Sequence, residues 1–240
     1  MKLLLTFEKG EPVRWLGHLD VMRAFERAIR RSGLPIAFTS GYNPRVRLSF
    51  ASALGVGVTG DAERAVIELA ADLHPNDAVA ALNAALPAGI RVTAAEPIAD
   101  AGSRERLNAF RRCELQLACT MPGAIDPADL QAALDRAMAQ TEWLIERKTD
   151  KMTQTRDIRP YIRLIRIDRC APPEIALRVE MDVGQDGTAR PSEIVSVLQS
   201  VVPGLALRRA HRVRLMRPGD GDGAEPERSS APREGGENPS

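Results

Sequence analysis

The sequence predicts an α+β protein made of two similar halves followed by an acidic tail, and three observations lead to this prediction. Short segments of the first half return in the same order in the second half. Within each half, segments with strand-like alternation of apolar residues occur beside segments with helix-like spacing. The final residues, 218–240, are rich in Gly, Pro, Ser and Glu and contain almost no apolar residue beyond alanine.

The internal repeat consists of three pairs of similar segments. Two pairs are separated by 116 positions and the third pair by 112 positions. A single match would be weak, but three matches in the same order indicate two copies of one unit. The pairs are residues 44–48 and 160–164, 65–69 and 177–181, and 82–90 and 198–205.

Each copy is predicted to have the order strand, helix, strand, strand, helix, strand, which is the ferredoxin-like pattern. In the first copy, residues 1–96, helical spacing of apolar residues predicts a helix over 18–32, which Gly33 ends. The expected buried face of this helix is Leu19, Met22, Phe25 and Ile29. The other predicted elements of this copy are strands at 2–8, 64–70 and 90–95, extended segments at 35–39 and 45–51, and a helix at 76–86.

A predicted hinge at 97–109 leads to the second copy, residues 110–217. Asp126 is a favourable N-cap and Pro127 suits the first helical position, so a helix is predicted to begin there. Its expected buried residues are Leu130, Leu134 and Met138. The other predicted elements are strands at 110–120, 142–148, 161–168, 174–182 and 205–216, and a helix at 192–202.

The charge of the chain is unevenly distributed. The tail, residues 218–240, has six acidic and two basic residues, a net charge of −4, whereas the whole chain carries +1, so residues 1–217 carry +5. Because the tail lacks apolar surface to offset its ordering entropy, it is predicted to be disordered. The basic folded part can accommodate a phosphate-bearing partner.

Several classes of protein are excluded by composition. The opening MKLLLTFEKG has too short an apolar run for an export signal, and no segment approaches the ~20 apolar residues of a membrane helix. The cysteines Cys113, Cys119 and Cys170 are widely spaced, which suits reduced thiols and excludes a three-cysteine iron–sulfur site. The sequence therefore predicts a cytoplasmic protein with no membrane partner, metal or cofactor of its own.

His18 and Asp20 are the candidates for chemistry, because they open the first predicted helix. His18 could act as a general base, or it could contact a phosphate at the helix N-terminus, where free N–H groups favour anions. In the alternative interpretation, the two residues cap and charge the first helical turn. No nucleophile lies near them in sequence, so catalysis is not indicated.

Arginines provide the stronger signal, because Arg23, Arg27 and Arg30 form one stripe on the first helix. Grouped guanidinium groups suit phosphate recognition. In the alternative interpretation, the stripe is an ordinary solvated helix face whose positive charge is balanced by pairs with Asp20 and Glu26. In the last strand, if it is regular, alternation would place Arg208, Arg212 and Arg214 on one face. The candidate binding residues are Arg14, Arg23, Arg27, Arg30, Tyr42, Asn43, Arg45, Arg47, Arg159, Tyr161, Arg163, Arg208, Arg212 and Arg214.

The segment Ser40 to Pro44 is predicted to be a turn. Gly41 permits a positive φ, and Pro44 disfavours helix at Asn43. Tyr42 lies at its tip, and Tyr161 occupies the corresponding turn of the second copy. An exposed aromatic ring beside arginines could stack on a base, or it could pack between the two halves.

Three motifs resemble the radical-SAM-linked (radical-SAM-associated) protein family, a bacterial domain of unknown function. They are His18-Leu19-Asp20, Gly41-Tyr42-Asn43-Pro44 with Ser49-Phe50, and Asp157-Ile158-Arg159-Pro160-Tyr161. The resemblance covers approximately residues 2–216 and departs from the pattern at Gly17, where serine is expected. It implies a companion of radical SAM enzymes, either as a neighbour or as an appended domain.

The function predicted from these features is that of a non-catalytic accessory protein of a radical SAM enzyme that binds or presents RNA or another phosphate-bearing substrate. The first alternative is a metal-independent RNA-processing endonuclease, by analogy of fold with CRISPR RNA endonucleases built from two similar units. The second alternative is a protein–protein adaptor whose arginines meet an acidic partner.

Overall fold

The structure, a computed structural model, describes residues 1–99, 102–148, 152–184, 187–217 and 220. The described ranges contain helices and strands that alternate along the chain. The strands are β1 (Lys2–Lys9), β2 (Leu48–Phe50), β3 (Val58–Glu68), β4 (Ile90–Ile98), β5 (Arg112–Thr120), β6 (Leu144–Lys148), β7 (Thr153–Asp157), β8 (Ile162–Ala171), β9 (Glu174–Asp182) and β10 (Ala206–Met216). The helices are α1 (His18–Arg31), α2 (Pro75–Ala85), α3 (Ser103–Asn108), α4 (Pro127–Met138) and α5 (Pro191–Leu198).

One large mixed sheet runs through both halves of the protein. Its strand order is β4-β1-β3-β10-β5-β9-β8, with β2 also paired to β3. In the first half, β1 pairs antiparallel with β4 and β3, and β3 pairs antiparallel with β2. In the second half, β5 pairs antiparallel with β10 and β9, and β9 pairs antiparallel with β8. The protein is therefore a mixed α/β protein with a large sheet and a few helices.

The two halves are joined along β3, which changes its partner partway along its length. Residues 58–60 of β3 pair in parallel with residues 210–212 of β10. Farther along, residues 65–67 pair antiparallel with 48–50 of β2. Residues 61–64 lie between these two pairings, and we call this region the fork. Side chains from both halves of the chain therefore meet there.

Helix α1 covers the sheet of the first half with a slightly different face from the predicted one. Phe25 and Ile29 are buried as expected, and the Phe25 ring lies 4.9 Å from that of Phe7 in β1. Leu19, by contrast, is 62% exposed and Met22 is only partly buried. The buried positions, Val21, Ala24, Phe25, Ala28 and Ile29, follow the helical period but leave the first turn outside the core.

Three further differences from the sequence prediction concern the second half and the connection to it. The segment predicted as a hinge, 97–109, contains the end of β4 and helix α3, whose Leu107 is buried with Leu4 and Val66. The strand predicted at 142–148 is β6, which pairs with β7 in a separate two-stranded sheet. No strand was predicted at β7, because Thr153–Asp157 has no alternating apolar residues. The predicted disordered tail, 218–240, lies outside the described residues except for Asp220.

The three thiols differ in their exposure, which leads to a test of the second-half core. Burial raises the pKa of Cys113 to about 12 and the pKa of Cys119 to about 11, whereas Cys170 is partly exposed. Since the thiolate is the reactive form, we expect Ellman's reagent to modify only Cys170 in the native protein. Unfolding in guanidinium chloride should release the other two thiols. Rapid modification in a Cys170→Ser variant would contradict this arrangement.

Candidate nucleic-acid interface

Helix α1 presents arginines on the face opposite its buried side. The helix begins after Gly17, whose N–H donates to Oδ2 of Asp20 at 3.3 Å. Arg23 lies one turn farther and contacts Asp20 at 3.4 Å. Arg27 and Arg30 follow at helical spacing and are exposed. Within the described residues, the guanidinium of Arg27 has no carboxylate partner, so it is available to an external anion.

The predicted turn near Tyr42 is present as a loop closed by hydrogen bonds. Thr39 N–H donates to the Arg45 carbonyl at 2.8 Å, and Arg45 N–H donates to Oγ1 of Thr39 at 2.9 Å. Gly41 has φ = 125°, a conformation that glycine adopts without steric cost. Tyr42 lies at the tip with its ring fully exposed. The Tyr42 ring is therefore accessible for stacking on an external base.

The loop and the arginine stripe form one continuous surface. The guanidinium of Arg30 lies over the Phe38 ring at 5.6 Å from its centroid, which ties α1 to the base of the loop. Arg47 donates to the Phe38 carbonyl at 3.2 Å and also pairs with Glu68 at 3.1 Å. We call this surface the basic face and define it by Arg23, Arg27, Arg30, Tyr42, Asn43, Arg45 and Arg47. It combines the predicted stripe of Arg23, Arg27 and Arg30 with the predicted binding residues of the loop that follows.

His18 occupies the first position of α1 but does not cap it. Its ring lies edge-on to Phe50 with centroids 5.4 Å apart, and the capping contact at this end comes from Asp20. Burial lowers the pKa of His18, and the nearby charge of Arg212 lowers it further. The expectation that His18 caps the helix is therefore wrong. The lowered pKa favours the neutral form of the ring, which has no hydrogen-bond partner among the described residues.

A buried polar cluster fills the fork. Glu63 and Arg212 form an ion pair in which Nε of Arg212 donates to Oε1 of Glu63 at 2.6 Å, and a second bond joins Nη2 to Oε2. Both side chains are at most 4% exposed. Lys9, 1% exposed, lies in the same cluster, and its Nζ donates to the carbonyls of Arg14, Leu16 and Gly55 at 2.8–3.2 Å. The cluster joins the loop before α1 and the loop before β3 to strands from both halves.

The predicted stripe of Arg208, Arg212 and Arg214 does not exist. Register shifts between Leu207 and Arg209, and again between Arg212 and Arg214, interrupt the alternation of β10. Arg212 is consequently buried on Glu63, whereas Nε of Arg214 donates to Glu114 at 2.8 Å. Arg208 stays exposed and donates to Oγ1 of Thr120 at 2.9 Å. The stripe was predicted only for a regular strand, and the register shifts of β10 remove that condition.

Other predicted binding residues are engaged within the protein. Arg159 donates to the carbonyls of Met138, Gln140 and Ile162 at 2.8–3.2 Å. Its guanidinium therefore binds backbone carbonyls at and beyond the C-terminus of α4. Arg163 pairs with Asp182 at 2.9 Å. Arg14 pairs with Glu11 at 2.7 Å and stacks on Trp15 at 4.4 Å. Tyr161 is partly buried beside Gly187. These residues do not join the basic face.

Glu63 and Lys9 of the buried polar cluster were not predicted as functional residues, although the sequence contains a signal for them. Glu63 alternates with Ala65 and Ile67, which are fully buried, and Lys9 follows the buried positions of β1. A charged residue at an inward-facing position of a strand indicates a buried partner, because an isolated charge there would be too costly.

Metal binding and membrane insertion were also considered. Within the ranges given above, no three His, Cys, Asp or Glu side chains are close enough together to hold a metal ion. Nor does any helix of those ranges have the length and hydropathy that crossing a membrane requires.

Comparison with solved structures returns chains from complexes whose titles name H/ACA ribonucleoproteins. One match is titled "Crystal structure of the archaeal box H/ACA sRNP Nop10-Cbf5 complex", with 11% identity and a TM-score of 0.47 over 88% of this chain and 46% of the other. Another is "Structure of H/ACA RNP bound to a substrate RNA containing 2'-deoxyuridine", with 11% identity and a TM-score of 0.49 over 89% and 47%. This chain thus spans about half the length of the chains it matches, and the likeness assigns no function.

Comparison of the sequence with protein families is more specific. No curated protein matches this chain. Residues 2–191 match the family described as "Uncharacterized protein conserved in bacteria (DUF2344)". Because the match covers most of the chain, the protein belongs to this bacterial family.

Proposed function

We propose that this protein is a non-catalytic accessory protein that binds the phosphate backbone of RNA through its basic face. The observation that carries the proposal is the grouping of Arg27 and Arg45, whose guanidiniums have no carboxylate partner among the described residues, with the fully exposed ring of Tyr42. Guanidinium groups bind phosphate oxygens in a bidentate manner, and an exposed aromatic ring stacks on bases of any identity. Together they suit single-stranded or splayed RNA.

The proposal extends to the partner and to the origin of the fold. The resemblance of the His18, Tyr42 and Arg159 motifs to the radical-SAM-linked family supports a radical SAM enzyme as partner. Within the large sheet, the strand orders are β4-β1-β3-β2 in the first half and β10-β5-β9-β8 in the second half, so each set follows the order fourth-first-third-second. Every neighbouring pair within each set is antiparallel. This shared order supports two ferredoxin-like units related by duplication. In that interpretation, β2 and β8 correspond, as do the turns that precede them.

An RNA endonuclease is the second candidate, and His18 is the observation that favours it. Its ring is half-buried, and the lowered pKa favours the neutral form that a general base requires. Glu63, whose negative charge raises the pKa of His18 in part, is paired with Arg212. The adaptor alternative would use the same arginines against an acidic protein.

We expect the affinity for a structured RNA to fall steeply with salt. If the basic face contacts ~4–6 phosphates, log K should fall by ~3–4 per tenfold increase in salt, at about −0.7 per contact. Fluorescence anisotropy of a labelled RNA hairpin with a single-stranded end measures this slope. The double variant Arg27→Glu/Arg30→Glu should weaken binding at least tenfold for many sequences, since it reverses two contacts.

The matched control is Arg136→Glu/Arg166→Glu, which makes the same change in charge at exposed positions of α4 and β8. Equal losses in both double variants would assign the effect to overall charge and contradict the basic face. An absence of RNA binding even at low salt would contradict the RNA proposal and favour the adaptor. Cleavage of the RNA that is lost in His18→Ala, with binding retained, would favour the endonuclease.

A further inference from the structure

Trp15 is an exposed aromatic residue that lies just before helix α1 and is not one of the residues of the basic face. It is 66% exposed, whereas the other tryptophan, Trp143, is 1% exposed in the core of the second half. Leu19 and Val56, each 62% exposed, lie at the same end of the helix, since the Val56 side chain is 3.6 Å from the position that a Cβ on Gly17 would take. Large apolar side chains that are exposed together mark binding sites.

The loop that carries Trp15 is fixed by hydrogen bonds. The buried Lys9 donates through Nζ to the carbonyls of Arg14 and Leu16, the two neighbours of Trp15, at 3.0 and 2.8 Å. Gly57 N–H donates to the Arg14 carbonyl at 2.8 Å, and Cζ3 of the indole is 3.2 Å from the position that a Cβ on Gly57 would take. The indole is therefore positioned before a ligand arrives, which lowers the ordering cost of binding.

Positive charge is in excess beside the indole. The guanidinium of Arg14 lies over the ring, 4.4 Å from its centroid. Because an indole covered on both faces would be mostly buried, the 66% exposure of Trp15 leaves its other face open to solvent. Glu11 is shared between Arg14 at 2.7 Å and Arg209 at 3.7 Å, so two guanidiniums are balanced by one carboxylate. An open aromatic face beside excess positive charge suits a base and its phosphate.

The arginine stripe of α1 leads from this end of the helix to the Tyr42 loop. Leu19, Arg23 and Arg30 lie on one face of α1, because their spacings of four and seven residues are close to whole turns. The helical stretch 19–30 is about 16 Å long at ~1.5 Å per residue. Trp15 precedes this row, and the Tyr42 loop adjoins its other end through the contact that Arg30 makes. Two exposed aromatic rings therefore border the same row of guanidiniums.

We propose that Trp15 is a second base-stacking residue and that a single RNA strand lies along α1, with one base on Trp15, phosphates on the arginine stripe and another base on Tyr42. This inference rests on the proposed function and deepens it, because it defines the ligand as a single strand. In an RNA duplex the base faces are stacked inside the helix and are not available to two separate rings. An apolar patch also fits a protein partner, but the row of positive charge beside it favours a polyanion.

The test compares an oligouridylate with a blunt-ended RNA duplex of equal length, both added to the full chain. Fluorescence anisotropy of labelled RNA measures binding. Quenching of tryptophan emission by unlabelled RNA measures stacking on Trp15, because Trp143 is 1% exposed. We expect the single strand to quench the emission with the Kd found by anisotropy. Trp15→Ala should weaken binding of the single strand about 5- to 150-fold, as expected for one lost stacked base, and should change the affinity for the duplex less than about twofold.

Trp15→Phe keeps an aromatic ring, so the quenching should disappear while the affinity falls less than about fivefold. The control is Leu144→Ala, which removes a side chain that is 59% exposed on β6 and should bind both RNAs like the wild type. Thermal melting verifies the fold of each variant, and if Trp15→Ala unfolds, Trp15→Phe and the quenching decide the question.

The outcomes separate this inference from the proposed function. Binding of the single strand without quenching, or with unchanged affinity in Trp15→Ala, would overturn the inference and leave the proposed function intact. Equal losses for the single strand and the duplex would also overturn it. An absence of RNA binding at low salt would overturn both. If Trp15→Ala lost binding to an identified protein but kept its RNA affinity, Trp15 would belong to a protein interface instead.

Discussion

Replacing Glu63 with alanine is expected to lower the free energy of unfolding by about 3–5 kcal/mol, the largest effect predicted for this protein. The substitution leaves the guanidinium of Arg212, whose side chain is 4% exposed, without its carboxylate partner. Its remaining contacts, with Oγ of Ser52 at 3.2 Å and the Ala53 carbonyl at 3.4 Å, carry no compensating charge. Urea denaturation followed by circular dichroism measures the loss.

Two further variants separate the buried charge from the packing around it. The double variant Glu63→Leu/Arg212→Met should recover most of the stability, because replacing a whole buried pair with apolar residues is often neutral or favourable. Glu174→Ala removes the partner of Arg169 in an exposed pair, at 3.7 Å, and should change stability by less than ~1 kcal/mol. If Glu63→Ala lowers the free energy of unfolding by no more than Glu174→Ala does, the ion pair of Glu63 and Arg212 is exposed to solvent, which contradicts its burial in the structure.

Replacing Lys9 with methionine is expected to cost about 2–4 kcal/mol. Methionine fills the space of the lysine stem but removes the Nζ donor from the carbonyls of Arg14, Leu16 and Gly55. Two of these carbonyls keep a backbone donor, since Gly57 N–H donates to Arg14 at 2.8 Å and Val58 N–H donates to Gly55 at 3.4 Å. The main cost therefore falls on the Leu16 carbonyl, because a buried unsatisfied acceptor costs about 1–3 kcal/mol, and the two weakened sites add to it. These carbonyls belong to the loop before α1 and the loop before β3, so the variant should also loosen both loops. Lys148→Met, at an exposed position, is the control and should be nearly neutral.

The contribution of Lys9 should depend on pH in a defined direction. Burial lowers the pKa of Lys9 from 10.5 to about 8, against a partial opposing effect of Glu63. Between these two values the unfolded chain binds more protons at Lys9 than the folded protein, so this group's contribution to stability rises with pH. The difference in unfolding free energy between wild type and Lys9→Met should therefore grow from pH 8 to pH 10. A difference that shrinks over this range would show that the folded protein favours the ammonium.

Local sequence patterns predicted most helices and strands correctly, and the reasons for the exceptions are physical. The predicted strand at 174–182 matches β9, and the helix predicted at 18–32 matches α1 to within one residue. β7 escaped prediction because its side chains are exposed and polar on both faces, so no alternation marks it. Leu19 was assigned to the core because periodicity identifies a helical face but not where neighbouring elements stop covering it.

The candidate site was likewise predictable from the sequence only in part. The stripe of Arg23, Arg27 and Arg30 followed from helical spacing alone, because one amphipathic helix fixes the relative directions of its own side chains. Its union with the Tyr42 loop depended on Arg30 reaching Phe38, a contact between two elements. A cleft lined by Phe50, Arg111 and Thr188 could not be predicted, because these residues come from three distant segments of the chain.

What the sequence determined by itself was the order of most elements and the outward direction of Arg23, Arg27 and Arg30 on the first helix. Only the tertiary structure decided that Arg212 is buried against Glu63 and that Arg27 has no carboxylate partner among the described residues. Glu63 and Arg212 are 149 positions apart, and they meet because β3 and β10 pair in parallel. Local periodicity sets the face on which a charge lies, whereas its partner and its exposure depend on which strand the sheet brings beside it.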